Sequence, residues 1–196
     1  MAPQLRPRSR GTARAGVIKV VLTGSESTGK TELAHRLAAH LSAPLAEEFV
    51  RGYAASKQGP LGFADHGPIA RGQMALEDAA VARATDIVIL DTDLVSTVVY
   101  CEHYFGRCPE WIEAEARRRA ADLYLLMQPD IPWIADGVRD RGHMRDAMHA
   151  LFVAKLQQLG LAFVEVGGTR EQRFDAALVA ILSHVEAGSR TRRASR

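Results

Sequence analysis

Asparagine is absent from the 196-residue chain, and cysteine occurs only as Cys101 and Cys108. Without asparagine the chain has no N-glycosylation acceptor. It also lacks the Asn-Lys-x-Asp element with which switch GTPases read guanine, so that class of protein is excluded. Two cysteines are too few for a disulfide framework or a four-ligand zinc site, and we therefore expect two free thiols.

Long apolar runs are also missing. No stretch approaches the roughly 20 apolar residues of a membrane-spanning helix, and the first residues lack the apolar segment of a secretory signal. The composition is 47% hydrophobic and 24% charged, which is the balance of an ordinary folded protein. These features predict one globular domain in the cytoplasm, with no membrane partner.

Acidic residues are missing from both ends of the chain. Residues 1–16 and 187–196 carry four arginines each and no acid, which leaves 17 basic against 23 acidic residues and a formal charge of −6 between them. An acidic body argues against a nucleic-acid partner, and short Arg-rich ends are usually solvated. We therefore predict basic disordered tails at residues 1–16 and 187–196 around one domain at residues 17–186.

Short apolar runs alternate with longer amphipathic stretches in this domain. The pattern predicts strands at residues 17–23, 44–47, 86–90, 122–127 and 162–166, and helices at residues 30–41, 69–84, 94–105, 109–120, 145–159 and 169–187. Strands joined by helical crossovers form a parallel sheet. The predicted fold class is α/β, a three-layer fold with a five-stranded parallel sheet between helices on both faces. Residues 59–68, rich in Gly and Pro, are predicted as a loop.

The sharpest motif lies between the first predicted strand and the first predicted helix. It fits G-x-x-x-x-G-K-[ST] and consists of Gly24, Ser25, Glu26, Ser27, Thr28, Gly29, Lys30 and Thr31, called the phosphate loop below. Glycines let the backbone curl around a phosphate, and the N–H groups of the loop and the helix N-terminus attract the anion. Lys30 is expected to reach the terminal phosphates of ATP, and Thr31 to offer its hydroxyl to Mg²⁺.

Carboxylates follow two of the predicted strands. Asp91 ends an apolar strand and is predicted to lie on the metal side of the site. Asp93 is predicted either to contact the substrate or to cap the next helix. Glu47 and Glu48 end the second strand, at the edge where parallel sheets bind ligands. The base that accepts a proton from an attacking hydroxyl is Glu47, Glu48, Asp91 or Asp93, and this choice stays open at the level of sequence.

The small size of the chain argues against a large ATPase motor and favours a compact small-molecule kinase. Such kinases need a lid that excludes water, and residues 129–142 are predicted to form it. Arg139 and Arg141 within this segment, and Arg145 just beyond, are candidates for contact with the transferring phosphate. The alternative for this segment is a charged surface loop.

Two further features of the sequence are a glycine pair before the last predicted helix and a run of arginines in an earlier one. Gly167 and Gly168 precede the last helix and are predicted to lie beside the adenine, or to lead into a capping box formed by Thr169 and Gln172. The run of three arginines at residues 117–119 is predicted to be a solvated helix face.

Four segments together resemble the ribosylnicotinamide kinase domain of NadR-like proteins, within the P-loop nucleoside and nucleotide kinase superfamily. The resemblance extends from Lys19 to Arg173. It rests on the phosphate loop, residues 48–53 (EFVRGY), residues 91–93 with Thr97, and residues 132–139 (PWIADGVR). It implies a sheet order of 2-3-1-4-5 and ATP- and Mg²⁺-dependent phosphorylation of the ribose 5′-hydroxyl of nicotinamide riboside, which gives nicotinamide mononucleotide in NAD salvage.

The resemblance also assigns roles to individual residues. It implies that Glu48 is the base or a sugar ligand and that Asp91 lies on the Mg²⁺ side. The substrate contacts that it implies are Glu48, Arg51, Tyr53, Asp93, Trp133 and Asp136. A cationic pyridinium is attracted by aromatic faces and carboxylates, which fits Trp133 beside Asp136. A packing role is the alternative for Trp133.

The multifunctional members of this family carry a DNA-binding segment and an adenylyltransferase domain before the kinase. Only 16 residues precede the first predicted strand here, and no H-x-G-H signature occurs. We therefore expect a stand-alone kinase with a small-molecule nucleoside as partner, either as a monomer or as a homo-oligomer. The alternatives are a kinase of the same fold for another nucleoside or small metabolite, and a nucleotide-dependent regulatory ATPase.

Overall fold

The computed structural model describes residues 16–57, 59–131 and 144–194. Five strands lie in one sheet, namely β1 (Ile18–Thr23), β2 (Leu45–Ala46), β3 (Ile87–Asp91), β4 (Leu123–Met127) and β5 (Phe163–Val166). The α-helices of these ranges are α1 (Lys30–Leu41), α2 (Phe49–Ser56), α3 (His66–Arg83), α4 (Leu94–Phe105), α5 (Glu110–Arg119), α6 (Arg145–Gln158) and α7 (Arg170–Ala194).

The strand order is β2-β3-β1-β4-β5, and all four neighbouring pairs are parallel. The central strand β1 aligns Ile18 with Ile87 of β3 and Val20 with Leu123 of β4. The strands β3 and β2 therefore extend the sheet on one side of β1, and β4 and β5 extend it on the other side. Such a reversal of strand order opens a crevice at the carboxyl end of β1. The predicted α/β fold class and the order 2-3-1-4-5 are confirmed.

Each face of the sheet is covered by a separate apolar core. Val20 and Leu22 of β1 pack with residues of α1 and α7, whereas Val21 between them packs with residues of α3, α4, α5 and α6. Successive side chains of a strand point to opposite faces, so a nearly continuous apolar strand is required when both faces are buried. The three layers hold the carboxyl ends of the strands in fixed positions.

Most predicted elements lie within a few residues of the observed ones, but the segment between β2 and α3 differs. The sequence analysis assigned no structure to α2, whose eight residues include Gly52 and no buried side chain. The predicted loop at residues 59–68 contains a 3-10 turn (Phe63–Asp65) and the start of α3 at His66. Pro68 fits there because the N–H groups of the first helical turn have no intrahelical acceptor.

The last helix was predicted to end at residue 187, but α7 continues to Ala194, so residues 187–194 of the predicted tail are helical. A single glycine at position 188 costs about 1 kcal/mol of helix stability relative to alanine, which the surrounding Ala and Arg residues offset. Most of the predicted N-terminal tail, residues 1–15, lies outside the described residues.

Within the described ranges, no helix is both long and apolar enough to cross a bilayer. Cys101 is buried and Cys108 half-buried, and both are free thiols as predicted.

The prediction of a solvated face at residues 117–119 fails for Arg119, which lies at a buried acidic site. Its guanidinium is 3.1 Å from Glu77 Oε2 and 2.6 Å from Asp78 Oδ1. The Glu77 side chain is only 4% exposed, and its Oε1 atom has no hydrogen-bond partner among the described residues. Burial, together with the charge of Asp93, raises the pKa of Glu77 to about 7 despite the opposing charges of Arg119 and Lys19.

The raised pKa of Glu77 predicts a pH-dependent stability. The folded protein holds this proton more tightly than the unfolded chain, so the free energy of unfolding decreases as the pH rises from about 4.5 to about 7. The largest change expected from this group is roughly 3 kcal/mol. We expect Glu77→Gln to reduce the difference between urea unfolding free energies measured at pH 5 and pH 8.

Glu115→Gln is the matched control, because Arg118 lowers the pKa of Glu115 and keeps its titration below this window. An unchanged pH dependence in Glu77→Gln would show that this carboxyl titrates at its ordinary value in the folded protein.

Candidate active site

The phosphate loop connects β1 to α1, and glycine is required at two of its positions. Gly24 has φ +127°, and a Cβ atom there would lie 3.0 Å from the main-chain oxygen of Met127 in β4. Gly29 has φ +80° and forms the N-cap of α1. L side chains rarely adopt these conformations, so the glycines of the motif allow the loop to fold closely against β4.

Lys30 lies over the loop that precedes it. Its Nζ atom donates to the carbonyl oxygens of Gly24 at 3.1 Å and Ser25 at 2.7 Å, and Thr28 Oγ1 also donates to Ser25 O at 2.8 Å. The ammonium group is therefore held at the curled backbone, where a bound phosphate meets both the loop N–H groups and the positive end of α1.

Thr31 and Asp91 form a pair at the base of this loop. Thr31 Oγ1 donates to Asp91 Oδ2 at 2.6 Å, and Asp91 is 1% exposed. Burial raises the pKa of Asp91, although the Thr31 hydrogen bond opposes this effect. Asp91 Oδ1 has no hydrogen-bond partner among the described residues. A hydroxyl and a carboxylate with one unpaired oxygen are the hard oxygen ligands that Mg²⁺ prefers, so these residues fit that ion.

Glu48 and Arg51 extend this pair toward solvent. Glu48 is the N-cap residue of α2 and lies two residues after the end of β2. Its Oε2 atom accepts a hydrogen bond from Arg51 Nη2 at 3.2 Å. The same Arg51 nitrogen donates to Thr31 Oγ1 at 3.3 Å. The structure therefore brings together four residues that the sequence assigned to one site, from three separate segments of the chain.

Glu47 points elsewhere, although the sequence left it as a candidate base. Its carboxylate lies 3.2 Å from His35 Nε2, and both side chains are 55% exposed. Consecutive residues of an extended segment face opposite sides, so only one of Glu47 and Glu48 can face the phosphate loop. Glu48 is the one whose carboxylate contacts Arg51 beside Thr31.

Gln73 of α3 is a site residue that the sequence analysis missed. It is 2% exposed, and its Oε1 atom accepts a hydrogen bond from the N–H of Phe49 at 2.9 Å. Its amide nitrogen lies 3.5 Å from Glu47 O and 3.5 Å from Thr92 O. Gln73 thus joins the start of α2 to the end of β3. Its signal in the sequence is a polar residue on the same helical face as Ile69 and Ala70.

Asp93 has the capping role that was one of its two predicted roles. Its Oδ1 atom accepts from Val95 N at 3.0 Å, and its Oδ2 atom accepts from Tyr124 Oη at 2.6 Å. Both carboxylate oxygens are therefore engaged within the fold. Between Asp91 and Asp93 the backbone adopts a left-handed conformation at Thr92, with φ +72°. The chain changes direction at this residue, between the end of β3 and the start of α4.

The remaining predicted residues lie farther from the Thr31–Asp91 pair or outside the described ranges. The hydroxyl of Tyr53 donates to Asp65 at 2.9 Å. Thr169 and Gln172 form the predicted capping box after Gly167 and Gly168, with Thr169 N donating to Gln172 Oε1 at 2.8 Å. Residues 132–143 are not described, and this range contains Trp133, Asp136, Arg139 and Arg141.

A surface groove of about 410 Å³ runs along α2. It is lined by Glu48, Phe49, Gly52, Tyr53, Ser56 and Leu76. Its lining therefore includes the residue whose carboxylate lies beside Arg51 and two aromatic residues. This groove offers space for a small molecule next to Glu48.

The model of a protein family described as AAA domain matches residues 19–173. The chain belongs to this family. The matched segment begins in β1, includes the phosphate loop and Asp91, and ends in the first turn of α7. It therefore includes residues of all five strands of the sheet.

Two curated relatives are described as trifunctional NAD biosynthesis/regulator protein NadR. The protein from Salmonella typhimurium strain LT2 is 34% identical over 153 residues, which are 75% of this chain and 37% of the relative. The Escherichia coli K12 protein is 32% identical over 163 residues, or 80% and 39% of the two chains. The chain thus spans less than half the length of these relatives.

Solved structures show the same fold. A NadR protein in complex with NR has a TM-score of 0.71 and 28% identity, covering 87% of this chain and 52% of that one. A NadR protein with NAD and AMP-PNP has the same TM-score at 25% identity, covering 86% and 50%. Thymidylate kinase from Ehrlichia chaffeensis, with a TM-score of 0.60 and 15% identity, covers 86% and 98% and shows the fold alone.

The close approach of Gly24 to β4 predicts a specific sensitivity to substitution. We expect Gly24→Ala to lower the free energy of unfolding by about 1–3 kcal/mol, because the methyl group meets backbone atoms and φ is positive. Urea denaturation followed by circular dichroism measures this change. Gly52→Ala is the control, since a Cβ atom at this position of α2 meets nothing within 4 Å. An equal effect of the two substitutions would mean that the loop relaxes away from Met127.

Proposed function

We propose that this protein is an ATP- and Mg²⁺-dependent kinase that phosphorylates the ribose 5′-hydroxyl of nicotinamide riboside to give nicotinamide mononucleotide. The observation that carries the proposal is the position of Glu48. Its carboxylate lies beside Arg51, which also contacts Thr31 of the phosphate loop. A base for an acceptor hydroxyl is thus next to the residues suited to bind phosphate and metal.

The coarser part of this proposal, a P-loop phosphotransferase, is supported by the fold, by the phosphate loop and by the kinase-like relatives. The substrate is supported by the structure of a NadR protein in complex with NR, which we take as nicotinamide riboside, at 28% identity over 87% of this chain. The structure of a NadR protein in complex with NAD and AMP-PNP supports ATP as the donor.

The chemistry assigned to the site follows from its geometry. In this proposal the N–H groups of the loop and Lys30 bind the phosphates of ATP, and Thr31 and Asp91 would hold Mg²⁺. When bound, the ion would supply positive charge that offsets the charge of the phosphates. Glu48 accepts the proton of the ribose hydroxyl as its oxygen forms a bond to the γ-phosphorus, and the bond from that phosphorus to the β–γ bridging oxygen breaks.

The groove along α2 supports a cationic aromatic acceptor. Phe49 and Tyr53 line it together with Glu48. Aromatic faces and carboxylates both attract a positive ring such as pyridinium. Neutral nucleosides gain less from such a wall, so the groove favours nicotinamide riboside over them.

An ADP-release assay with ATP and Mg²⁺ tests the substrate directly. We expect nicotinamide riboside to stimulate ADP release, whereas uridine, cytidine, adenosine, thymidine and a sample without acceptor do not. Mass spectrometry of the product should show the addition of one phosphate. Stimulation by a different nucleoside would overturn the substrate, and release without any acceptor would indicate a regulatory ATPase instead.

Glu48→Gln tests the proposed base. We expect turnover to decrease by about 100-fold or more, because the amide cannot accept the proton. The affinity for AMP-PNP, measured by calorimetry, should stay near that of the wild type. Glu47→Gln is a matched control, since its carboxylate contacts His35 on an exposed surface. An equal loss of turnover in both variants, or a parallel loss of AMP-PNP affinity in Glu48→Gln, would contradict the role of Glu48.

A further inference from the structure

The carbonyl groups of the phosphate loop need hydrogen-bond donors from the surrounding protein. Backbone N–H groups that point inward at an anion leave neighbouring carbonyl groups pointing outward, and outward carbonyls need donors when protein covers them. Lys30 serves Gly24 O and Ser25 O. The helical hydrogen bonds of α1 begin with Leu33 N, which donates to Gly29 O at 3.1 Å, so the carbonyls of Ser27 and Thr28 precede this ladder.

Arg145, the first residue of α6, contacts the first of these carbonyls. Its Nη2 atom lies 3.4 Å from Ser27 O, and its Nη1 atom donates to Ile131 O at 2.9 Å. The residue is 8% exposed, and its Nε atom is buried without a hydrogen-bond partner. Its guanidinium group therefore joins the start of α6 to the phosphate loop and to Ile131 after β4.

Arg173, in the first turn of α7, contacts the second carbonyl. Its Nη1 atom donates to Thr28 O at 3.1 Å, its Nη2 atom to Gln128 O at 3.1 Å and its Nε atom to Gly168 O at 2.8 Å. It also forms an ion pair with Asp130. Arg173 is 5% exposed. One guanidinium thus fixes the loop, the end of β4 and the turn after β5 to one another.

We propose that Arg145 and Arg173 are positioning residues for nucleotide binding, which hold two consecutive outward carbonyls so that the loop N–H groups stay aimed at the phosphates. They act through the loop and do not contact the ligand. A loop that is held in its binding conformation takes up a nucleotide at a smaller ordering cost, because its donors are already oriented. This inference rests on the nucleotide binding included in the proposed function, but not on the identity of the acceptor.

The test is the affinity of the full chain for Mg²⁺–AMP-PNP, measured by calorimetry without any acceptor. We expect Arg145→Gln and Arg173→Gln to weaken binding about tenfold or more, the loss typical of a hydrogen bond to a charged group. Arg145→Lys and Arg173→Lys should recover part of it, since lysine keeps the charge but not the planar fork. In the kinase assay the KM for ATP should rise more than kcat falls.

A second measurement examines the loop itself. Hydrogen exchange of the amides of residues 24–31 in the nucleotide-free protein should be faster in the two Gln variants than in the wild type. A residue that merely supports the overall fold would accelerate exchange in the helices and strands to the same extent. Equal acceleration throughout the chain would therefore overturn the proposal.

Arg36→Gln is the matched control. Arg36 also joins α1 to the start of α7, through Arg170 O at 3.2 Å and Glu171 Oε2 at 2.8 Å, but contacts no carbonyl of the phosphate loop. We expect its AMP-PNP affinity to equal that of the wild type. An equal loss in Arg36→Gln, or affinities within about twofold of the wild type in the folded Arg145 and Arg173 variants, would overturn the proposal.

The Lys variants decide the question if the Gln variants fail to fold, because they keep the buried charge. Full wild-type affinity and exchange in both folded Lys variants would then show that the fork geometry has no role in binding. Failure of the wild type to phosphorylate nicotinamide riboside would overturn the acceptor but leave these AMP-PNP affinities interpretable.

Discussion

The site depends on one packing constraint, the close contact between the backbone of Gly24 and the backbone of Met127 at the end of β4. A Cβ atom at Gly24 would lie 3.0 Å from Met127 O, so the loop can turn here only because the side chain is a hydrogen atom. This contact places the loop at the crevice between β1 and β4. The start of α1, and with it Lys30 and Thr31, follows from that position.

The topology of the sheet brings the other half of the site to the same place. In the order β2-β3-β1-β4-β5 the carboxyl end of β3 lies beside that of β1, and β2 follows as the next strand. Asp91 from β3 thus contacts Thr31 directly, and Glu48 after β2 is joined to Thr31 through Arg51. Gln73 of α3 holds the start of α2 near the turn after β3, so a helix on one face of the sheet also sets the geometry of the site.

Charge within the fold is arranged unevenly around this crevice. Two buried arginines, Arg145 and Arg173, lie behind the phosphate loop, whereas two buried carboxyls, Glu77 and Asp93, lie on the face covered by α3 and α4. Burial raises the pKa of both carboxyls. Buried charge near the loop is therefore of both signs, since Arg173 also pairs with Asp130 and the buried Asp91 lies beside Thr31. At low dielectric the two guanidinium groups attract an anion more strongly than they would in water.

The sequence by itself determined the elements and the chemistry that local rules control. The helix over Lys30–Leu41, the apolar strands and the glycines of the phosphate loop follow from periodicity and from backbone sterics, which act over a few residues. The same rules failed for α2, which has no buried stripe, and for the end of α7, where composition alone does not locate the last helical residue.

Only the tertiary structure distinguished between neighbouring residues of the same type, which the sequence pattern treats alike. Glu47 contacts His35, whereas its neighbour Glu48 contacts Arg51. Asp93 caps α4. Arg119 pairs with the buried Glu77, whereas Arg117 and Arg118 beside it are exposed. The tertiary structure also gave Gln73, Arg145 and Arg173 their contacts with distant backbone. These outcomes depend on which atoms of distant segments lie next to a side chain in the folded protein. The sequence pattern does not contain the distances between those segments.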